Sequence, residues 1–423
     1  MLIQSILYIF INMKKSEIIN LIKKQKKNYS LDQAFYTNDE IFELDIKNIF
    51  QKQWVFVGHI SRIPNSGDYF LFNIGKESII IIRDFDKNVQ ALYNVCRHRG
   101  SQICLENNGN KKLLVCPYHA WSYNLDGSIK SARLMSDNFE KEKWSLHRCN
   151  VKIFEGLIFI NLSDHPNDFN EFIEPTKKFI QFHGLGEAKI AHRQIYPTFG
   201  NWKLTLDNFH ECYHCQPSHP EYCSVHDSEY IIAYGAGNNT GPSSEKFNKK
   251  LDEWNKKVSA MGHVTGQYSE IEFNDYSRSA ERTPLKDGNY NETKSGKPTA
   301  KLMGNFKKYD RGYTSVGTSP FNSLLMCNDF ATLFTFIPKS TLHTEVELMW
   351  LVHKDAKEGV DYNLDEIIWM WDVTTLADKR IIEDNQKGVL SNKYTPGPLS
   401  LMEIGLEKFK SWYLQQLEIS LNI

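Results

Sequence analysis

The pattern that most constrains this chain is Cys96-x-His98 followed, after seventeen intervening residues, by Cys116-x2-His119, in the run CRHRGSQICLENNGNKKLLVCPYHAW. Each short loop brings one thiol and one imidazole. Such a donor set suits a four-coordinate zinc ion, or a Rieske 2Fe-2S centre with two thiolates on one iron and two imidazoles on the other. Context decides for the second. Zinc fingers put their histidines together on a helix, whereas here each loop supplies one Cys and one His, so the two loops can clamp a flat two-iron rhomb from both sides. Gly100 lets the first loop turn, Pro117 removes a backbone donor beside a ligand, and Trp121 can shield the cluster from water. Cys104 lies between the pairs without a histidine partner and reads as a buried structural thiol.

A second constellation stands in residues 201–221, NWKLTLDNFHECYHCQPSHPE. His214 and His219 are five apart, a spacing that a continuous helix would not align. Pro217 is expected to end or kink the helix and let His219 swing back. Two histidines and one carboxylate on one face of a ferrous ion leave positions open for dioxygen and substrate. His210, four residues before His214, could form a pair with it on a helix face.

The surroundings of these motifs divide the chain. Residues 14 to about 52 read as helical. From Trp54 the texture becomes β-rich: VFVGHI, DYFLFNI, SIIIIRDF and VQALYNV are separated by turn residues, and Asp126-Gly127 marks a hairpin. We expect an N-terminal helical segment over 1–45, an all-β domain over 46–165 and a larger mixed domain over 166–423, giving the α+β class. In the last of these, FIEPTKKFIQFH reads as helix, residues 234–300 as long polar loops, Leu324 to His353 as strands, and DEIIWMWDVTTLADKRIIEDNQKGVLS as at least one long helix. LMEIGLEKFKSWYLQQL reads as an amphipathic helix.

Composition narrows the function classes. A net charge of −1, with no basic run beyond Lys23 to Lys27, argues against nucleic acid as a partner. The opening MLIQSILYIFIN is too short to span a bilayer and lacks the features of a signal peptide. Met13 is expected to be the natural start, with residues 1–12 an extension, and a cytoplasmic, reducing location is expected. The eight cysteines are then metal ligands or buried thiols rather than disulfides. No G-x-G-x-x-G follows a strand, so no nicotinamide or flavin site is visible.

CRHRG and CPYHAW resemble the cluster loops of Rieske non-haem iron oxygenases, alpha (oxygenase) subunits. Glu211-x2-His214-x4-His219 resembles that family's catalytic iron motif, D/E-x2-H-x4-H. The likeness extends to FYTNDEIFELDIKNIFQKQWVFVGH and YTPGPLSLMEIGLEKFKSWY, flanks most similar to the glycine betaine, carnitine and choline monooxygenase branch. It implies a 2Fe-2S cluster on Cys96, His98, Cys116 and His119, and a mononuclear Fe2+ on His214, His219 and a late aspartate. The family takes that aspartate from the start of a late helix, ahead of an apolar pair. This selects Asp378 and leaves Glu383 and Asp384 as helix-surface charges. No family ligand falls at His210. Asn208 matches an asparagine near the iron. Glu211, where aspartate is commoner, would link His214 to His119 of a neighbouring subunit in a head-to-tail homotrimer.

The resemblance further implies a helix-grip catalytic domain with an antiparallel sheet, and electrons from a separate flavin and 2Fe-2S reductase. The expected activity is hydroxylation of an N-methyl group of a betaine-like quaternary amine by O2, with loss of formaldehyde. Aromatic-ring hydroxylation is the alternative, and a Rieske electron carrier without oxygenase chemistry a third. The cation would be held by aromatic faces, for which 25 Phe, 20 Tyr and 9 Trp offer ample material.

Overall fold

The computed structural model describes residues 13–233, 242–270 and 278–423. The expectation for residues 1–12 lies outside this range. Three α-helices come first among the described residues: α1 (Lys15–Lys24), α2 (Gln33–Thr37) and α3 (Asp39–Asp45). Residues 25–32 leave the helical path that the sequence suggested for them. The Asn38 side chain caps α3 by accepting from the Ile41 amide, and Asp39 and Glu40 sit in its first turn, where the helix dipole favours acids.

Ten strands follow: β1 (Val55–His59), β2 (Asp68–Ile74), β3 (Glu77–Arg83), β4 (Val89–Tyr93), β5 (Asn108–Asn110), β6 (Leu114–Val115), β7 (Ser122–Tyr123), β8 (Ile129–Ser131), β9 (Asn150–Phe154) and β10 (Leu157–Asn161). They form three small antiparallel sheets, ordered β1-β10-β9, β4-β3-β2-β5 and β6-β7-β8. A separate core of Ile80, Ile82, Leu92, Trp121, Tyr123 and Leu125 surrounds Cys96, Cys104 and Cys116. The buried thiol expected at Cys104 is there. β1 and β10 are buried on both faces, as their uninterrupted apolar runs require. Val55, Val57, Ile158 and Ile160 enter one core, and Phe56, Leu157 and Phe159 another.

The rest of the chain contains α4 (Phe169–His183), β11 (Ala188–Thr198), α5 (Trp202–Phe209), α6 (Cys215–Ser218), α7 (Pro220–Val225), α8 (Ser228–Ala233), α9 (Pro242–Ala260), β12 (Gly266–Glu270), β13 (Arg278–Pro284), β14 (Gly312–Gly317), β15 (Asn322–Met326), β16 (Phe330–Ser340), β17 (His343–His353), α10 (Leu364–Val389) and α11 (Ile404–Leu421). The strands form one antiparallel sheet in the order β11-β17-β16-β15-β14-β13-β12. Alternate side chains divide between its faces. Phe330, Phe334, Leu348 and Trp350 share a core with α5, α10 and α11. Leu333, Met349 and Leu351 share another with α4, β1 and β10. This is the α+β fold, an antiparallel sheet gripping a long helix.

The stretch 234–300 is not all loop: it holds α9, β12 and β13, while 234–241 and 271–277 lie outside the described residues. Its polar average hides a stripe of Phe247, Leu251, Trp254 and Val258, which recurs at helical spacing and packs α9 inward. Asp378 stands in the middle of α10, not at a helix start, because the helix begins at Asn363, whose side chain caps it.

One buried knot fixes α5, the helix that leads into the candidate iron loop. Asp45 accepts from Lys203 Nζ at 2.5 Å, Trp202 Nε1 at 3.0 Å and Tyr413 Oη at 2.9 Å, tying α3, α5 and α11 together. Removing one partner from such a buried pair costs about 3–5 kcal/mol. Among the described residues, no helix is long and apolar enough to cross a membrane.

Candidate metal centres

The two cysteine-histidine loops have the same backbone plan. Gly100 N–H donates to the Cys96 carbonyl and Ala120 N–H to the Cys116 carbonyl, at 3.0 and 3.1 Å. The Cys96 and Cys116 amides donate to the carbonyls of Ser101 and Trp121, both at 2.8 Å. Each loop closes through a left-handed residue, Gly100 at φ +79° and Ala120 at φ +58°, so the turn foreseen for Gly100 is present. Cys96 and Cys116 are buried, whereas His98 is half-buried and His119 exposed. A two-iron cluster held there would keep its thiolate side inside and turn its imidazole side outward. Trp121 stacks on His98 at 4.9 Å and 9°. Tyr123 Oη lies 3.3 Å from Cys96 Sγ.

The second group forms where α5 ends. The helix stops at Phe209, and His214 precedes the single turn of α6. Pro217 sits inside that turn and does not break it. The break falls at His219, whose φ of −127° and ψ of 70° precede Pro220 at the start of α7. A residue before proline is driven out of the helical region, so Pro220 rather than Pro217 swings His219 back.

This brings together what the sequence selected. Donor atoms of His214, His219 and Asp378 all lie within 4.8 Å of one another. Asp378 Oδ1 is 2.9 Å from His219 Nε2 and 3.3 Å from His214 Nε2. Each ring is held from behind by a carboxylate. His214 Nδ1 is 2.5 Å from Glu211 Oε1, and His219 Nδ1 is 3.1 Å from Glu221 Oε1, which Thr374 Oγ1 also reaches. Bonds at both Nδ1 atoms leave both Nε2 atoms for the shared centre, the arrangement that orients imidazoles toward a metal. Burial disfavours a charged His214, yet its bonds to Asp378 and Glu211 prevail and push its pKa up to about 10. Burial raises the Asp378 pKa, but the two imidazoles hold it below the usual carboxylate range. The geometry fits one divalent metal with two histidines and one carboxylate.

Asn208 Nδ2 approaches His214 Nε2 at 3.3 Å. His210 stands apart from the group. It stacks on Phe409 at 4.8 Å, and burial lowers its pKa to about 4. Asp384 is exposed and pairs with Lys387. Glu383 is not merely a surface charge: it accepts the Phe199 amide at 3.1 Å and ties α10 to the approach of α5. Glu221 went unselected in the sequence, although it lies within the second motif, because only the Pro220 turn aims it at His219.

A cavity of about 390 Å³ adjoins the three donors, between the sheet, α10 and residues 206–222. Tyr222, Tyr230, Tyr313 and Trp371 line it. They are arranged by a buried pair behind them. His226 Nε2 meets Glu292 Oε1 at 2.9 Å, and Glu292 Oε2 accepts from Trp371 Nε1 at 3.0 Å. The His226 ring stacks on Tyr222 at 4.1 Å and meets Tyr313 edge-on at 4.8 Å.

Comparison with known proteins agrees with this layout. Residues 53–152 match the Rieske [2Fe-2S] domain, and residues 185–419 match the ring hydroxylating alpha subunit catalytic domain. The glycine betaine monooxygenase oxygenase subunit of Pseudomonas aeruginosa is 34% identical over 401 residues, 94% of this chain and 91% of that protein. The carnitine monooxygenase oxygenase subunit of Escherichia coli is 34% identical over 216 residues, 48% of this chain and 55% of that one. A solved quaternary ammonium Rieske monooxygenase shares the fold with a TM-score of 0.70 at 22% identity, over 97% of this chain and 99% of that one.

Proposed function

Since the chain belongs to the Rieske oxygenases, as one of their ring-hydroxylating alpha subunits, we propose that it is the terminal oxygenase of a system that N-demethylates a betaine-like quaternary amine. A chain of this family carries a Rieske 2Fe-2S cluster and a mononuclear iron. Cys96, His98, Cys116 and His119 would hold the first, and His214, His219 and Asp378 the second. When bound, the iron supplies activation of dioxygen, with electrons arriving one at a time through the cluster.

The observation that carries the substrate class is the aromatic wall of Tyr222, Tyr230, Tyr313 and Trp371 beside the three metal donors. A quaternary ammonium has no N–H to donate, so aromatic faces are its natural partners, each worth about 0.5–2 kcal/mol. Held there, an N-methyl group faces the open side of the metal group, while Glu211 and Glu221 keep both imidazoles in register. One N-methyl group, O2, two electrons and two protons give an N-hydroxymethyl group and water. The C–N bond then breaks, releasing formaldehyde, a tertiary amine and a proton.

The electrons would come from a separate flavin and 2Fe-2S reductase. The outward-facing His119 fits a head-to-tail homotrimer, a heterologous contact that closes under threefold symmetry. In it, Glu211 of one chain would meet His119 of the next. The deciding experiment supplies a Rieske-type reductase and NADH, and measures formaldehyde with betaine-like amines. One formaldehyde per substrate consumed supports the reading. Turnover of neutral aromatic compounds alone, without formaldehyde, would replace it with ring hydroxylation.

A further inference from the structure

The same cavity carries two charged groups that no described residue of opposite charge pairs with. Glu281 lies on β13, opposite Gln267 of β12 and Ser315 of β14, and contributes to the cavity wall. Its one hydrogen-bond partner among the described residues is Tyr230, whose Oη donates to Oε1 at 2.7 Å. Burial raises its pKa and the Tyr230 bond lowers it, with no cation among the described residues acting on it. A half-buried carboxylate on a cavity wall without a counter-charge among the described residues is costly, and this one stands among the aromatic rings: Tyr230 touches it, and Tyr313 lies diagonally across on β14.

Lys408 lines the same cavity from α11. Burial lowers its pKa, and no acidic group among the described residues offsets that effect. Its helix is seated firmly on the metal loop. Phe409 stacks on His210, and a Cβ at Gly405 would come within 2.2 Å of the His210 carbonyl oxygen. The other charged lining groups outside the metal donors are engaged. Glu211 holds His214, and Arg278 donates to the carbonyls of Glu171 and Phe172.

Building on the quaternary-amine reading, we propose that the cavity is a receptor for a zwitterion, in which Glu281 faces the substrate's cationic nitrogen and Lys408 its carboxylate. An aromatic box alone would accept choline as readily as glycine betaine. The added cation on α11 selects for the molecule bearing an acid at its far end.

The test uses calorimetric binding to the anaerobic holoenzyme with three probes: glycine betaine, choline, which keeps the cation but lacks the carboxylate, and tert-butylacetate, the carbon isostere that keeps only the carboxylate. Wild type is expected to bind glycine betaine about tenfold or more tighter than either of the others. Glu281→Gln should weaken glycine betaine and choline about tenfold and leave tert-butylacetate unchanged. Lys408→Met should weaken glycine betaine and tert-butylacetate and leave choline unchanged. Glu281→Asp, which keeps the charge, should recover part of the cation preference. If wild type binds tert-butylacetate as tightly as glycine betaine, the quaternary-amine reading itself fails. If wild type prefers glycine betaine but both neutral variants keep that preference, or weaken all three probes equally, the assignment of Glu281 and Lys408 is overturned.

Discussion

The two ring nitrogens of His214 face two different acids: Nδ1 meets Glu211 Oε1 at 2.5 Å, and Nε2 meets Asp378 Oδ1 at 3.3 Å. One imidazole therefore couples the metal group to Glu211. That carboxylate is itself fixed, because its other oxygen accepts the Tyr213 and His214 amides. In the proposed trimer it is the natural relay between His214 and the neighbour's His119. Glu211→Gln keeps the shape and removes the charge. It should leave both metals and the trimer intact, yet slow electron transfer to the iron about 10- to 100-fold. Rapid mixing of pre-reduced variant with substrate and oxygen reads this as delayed cluster reoxidation. Reoxidation at the wild-type rate would remove Glu211 from the path, and a monomer in ultracentrifugation would remove the inter-subunit route.

His214, His219 and Asp378 should each be required for iron. Alanine at any of them is expected to leave less than about a tenth of the mononuclear iron, so that total iron falls from about three to about two per chain while cluster absorbance is retained. Glu383→Ala is the matched control on the same helix. It loses the contact to the Phe199 amide, so it should lower stability and keep iron. Elemental analysis of the purified variants separates these outcomes. Iron retained in Asp378→Ala and lost in Glu383→Ala would move the third ligand.

Much of this site was legible because its chemistry is local. Cys96-x-His98 and Cys116-x2-His119 sit on short loops whose closing turns are written in the same few residues. His214 and His219 needed only a proline to break the helix, although the effective one is Pro220, just after the second ligand, rather than Pro217. What stayed hidden is non-local. Nothing near Glu281 in sequence announces that Tyr230 and Tyr313 will surround it, and His226 finds Glu292 only through the fold. The α9 stripe was missed because four apolar residues were averaged into a polar window. Asp378 was reached through family likeness rather than local pattern, since a 26-residue helix has no signal at its midpoint.

Tyr123 should tune the cluster. Its hydroxyl lies 3.3 Å from Cys96 Sγ and also accepts the Arg97 amide at 3.1 Å, leaving its proton to point at sulfur. A hydrogen bond to a cluster sulfur stabilises the reduced, more negative state. Tyr123→Phe should lower the reduction potential on the order of 40 mV, one hydrogen bond of about 1 kcal/mol spread over one electron. Protein-film voltammetry measures the shift. An unchanged or raised potential would mean that the hydroxyl does not donate to Cys96.

His59 should make stability depend on pH. It ends β1, where its Nε2 lies 2.9 Å from the Leu185 carbonyl oxygen, and its Nδ1 accepts the Ser61 amide at 3.2 Å. The ring is fully buried. Gly156, at φ +76°, makes room for it, since a Cβ there would stand 2.4 Å from Nε2. Both nitrogens are satisfied in the neutral form, and burial lowers the pKa from 6.5 to about 4, with the Leu185 bond a smaller opposing effect. Between those values the unfolded chain takes up a proton that the folded chain refuses. The stability this provides is therefore fully present above the unfolded pKa and is lost as pH falls toward the folded one, on the order of 3 kcal/mol in all. His59→Gln cannot titrate. It should be less stable than wild type near neutrality, and the gap should shrink as pH falls from about 7.5 to about 4.5. Urea midpoints at the two pH values test this, and because the two proteins share every other titrating group, a gap that stays constant would assign the pH dependence elsewhere.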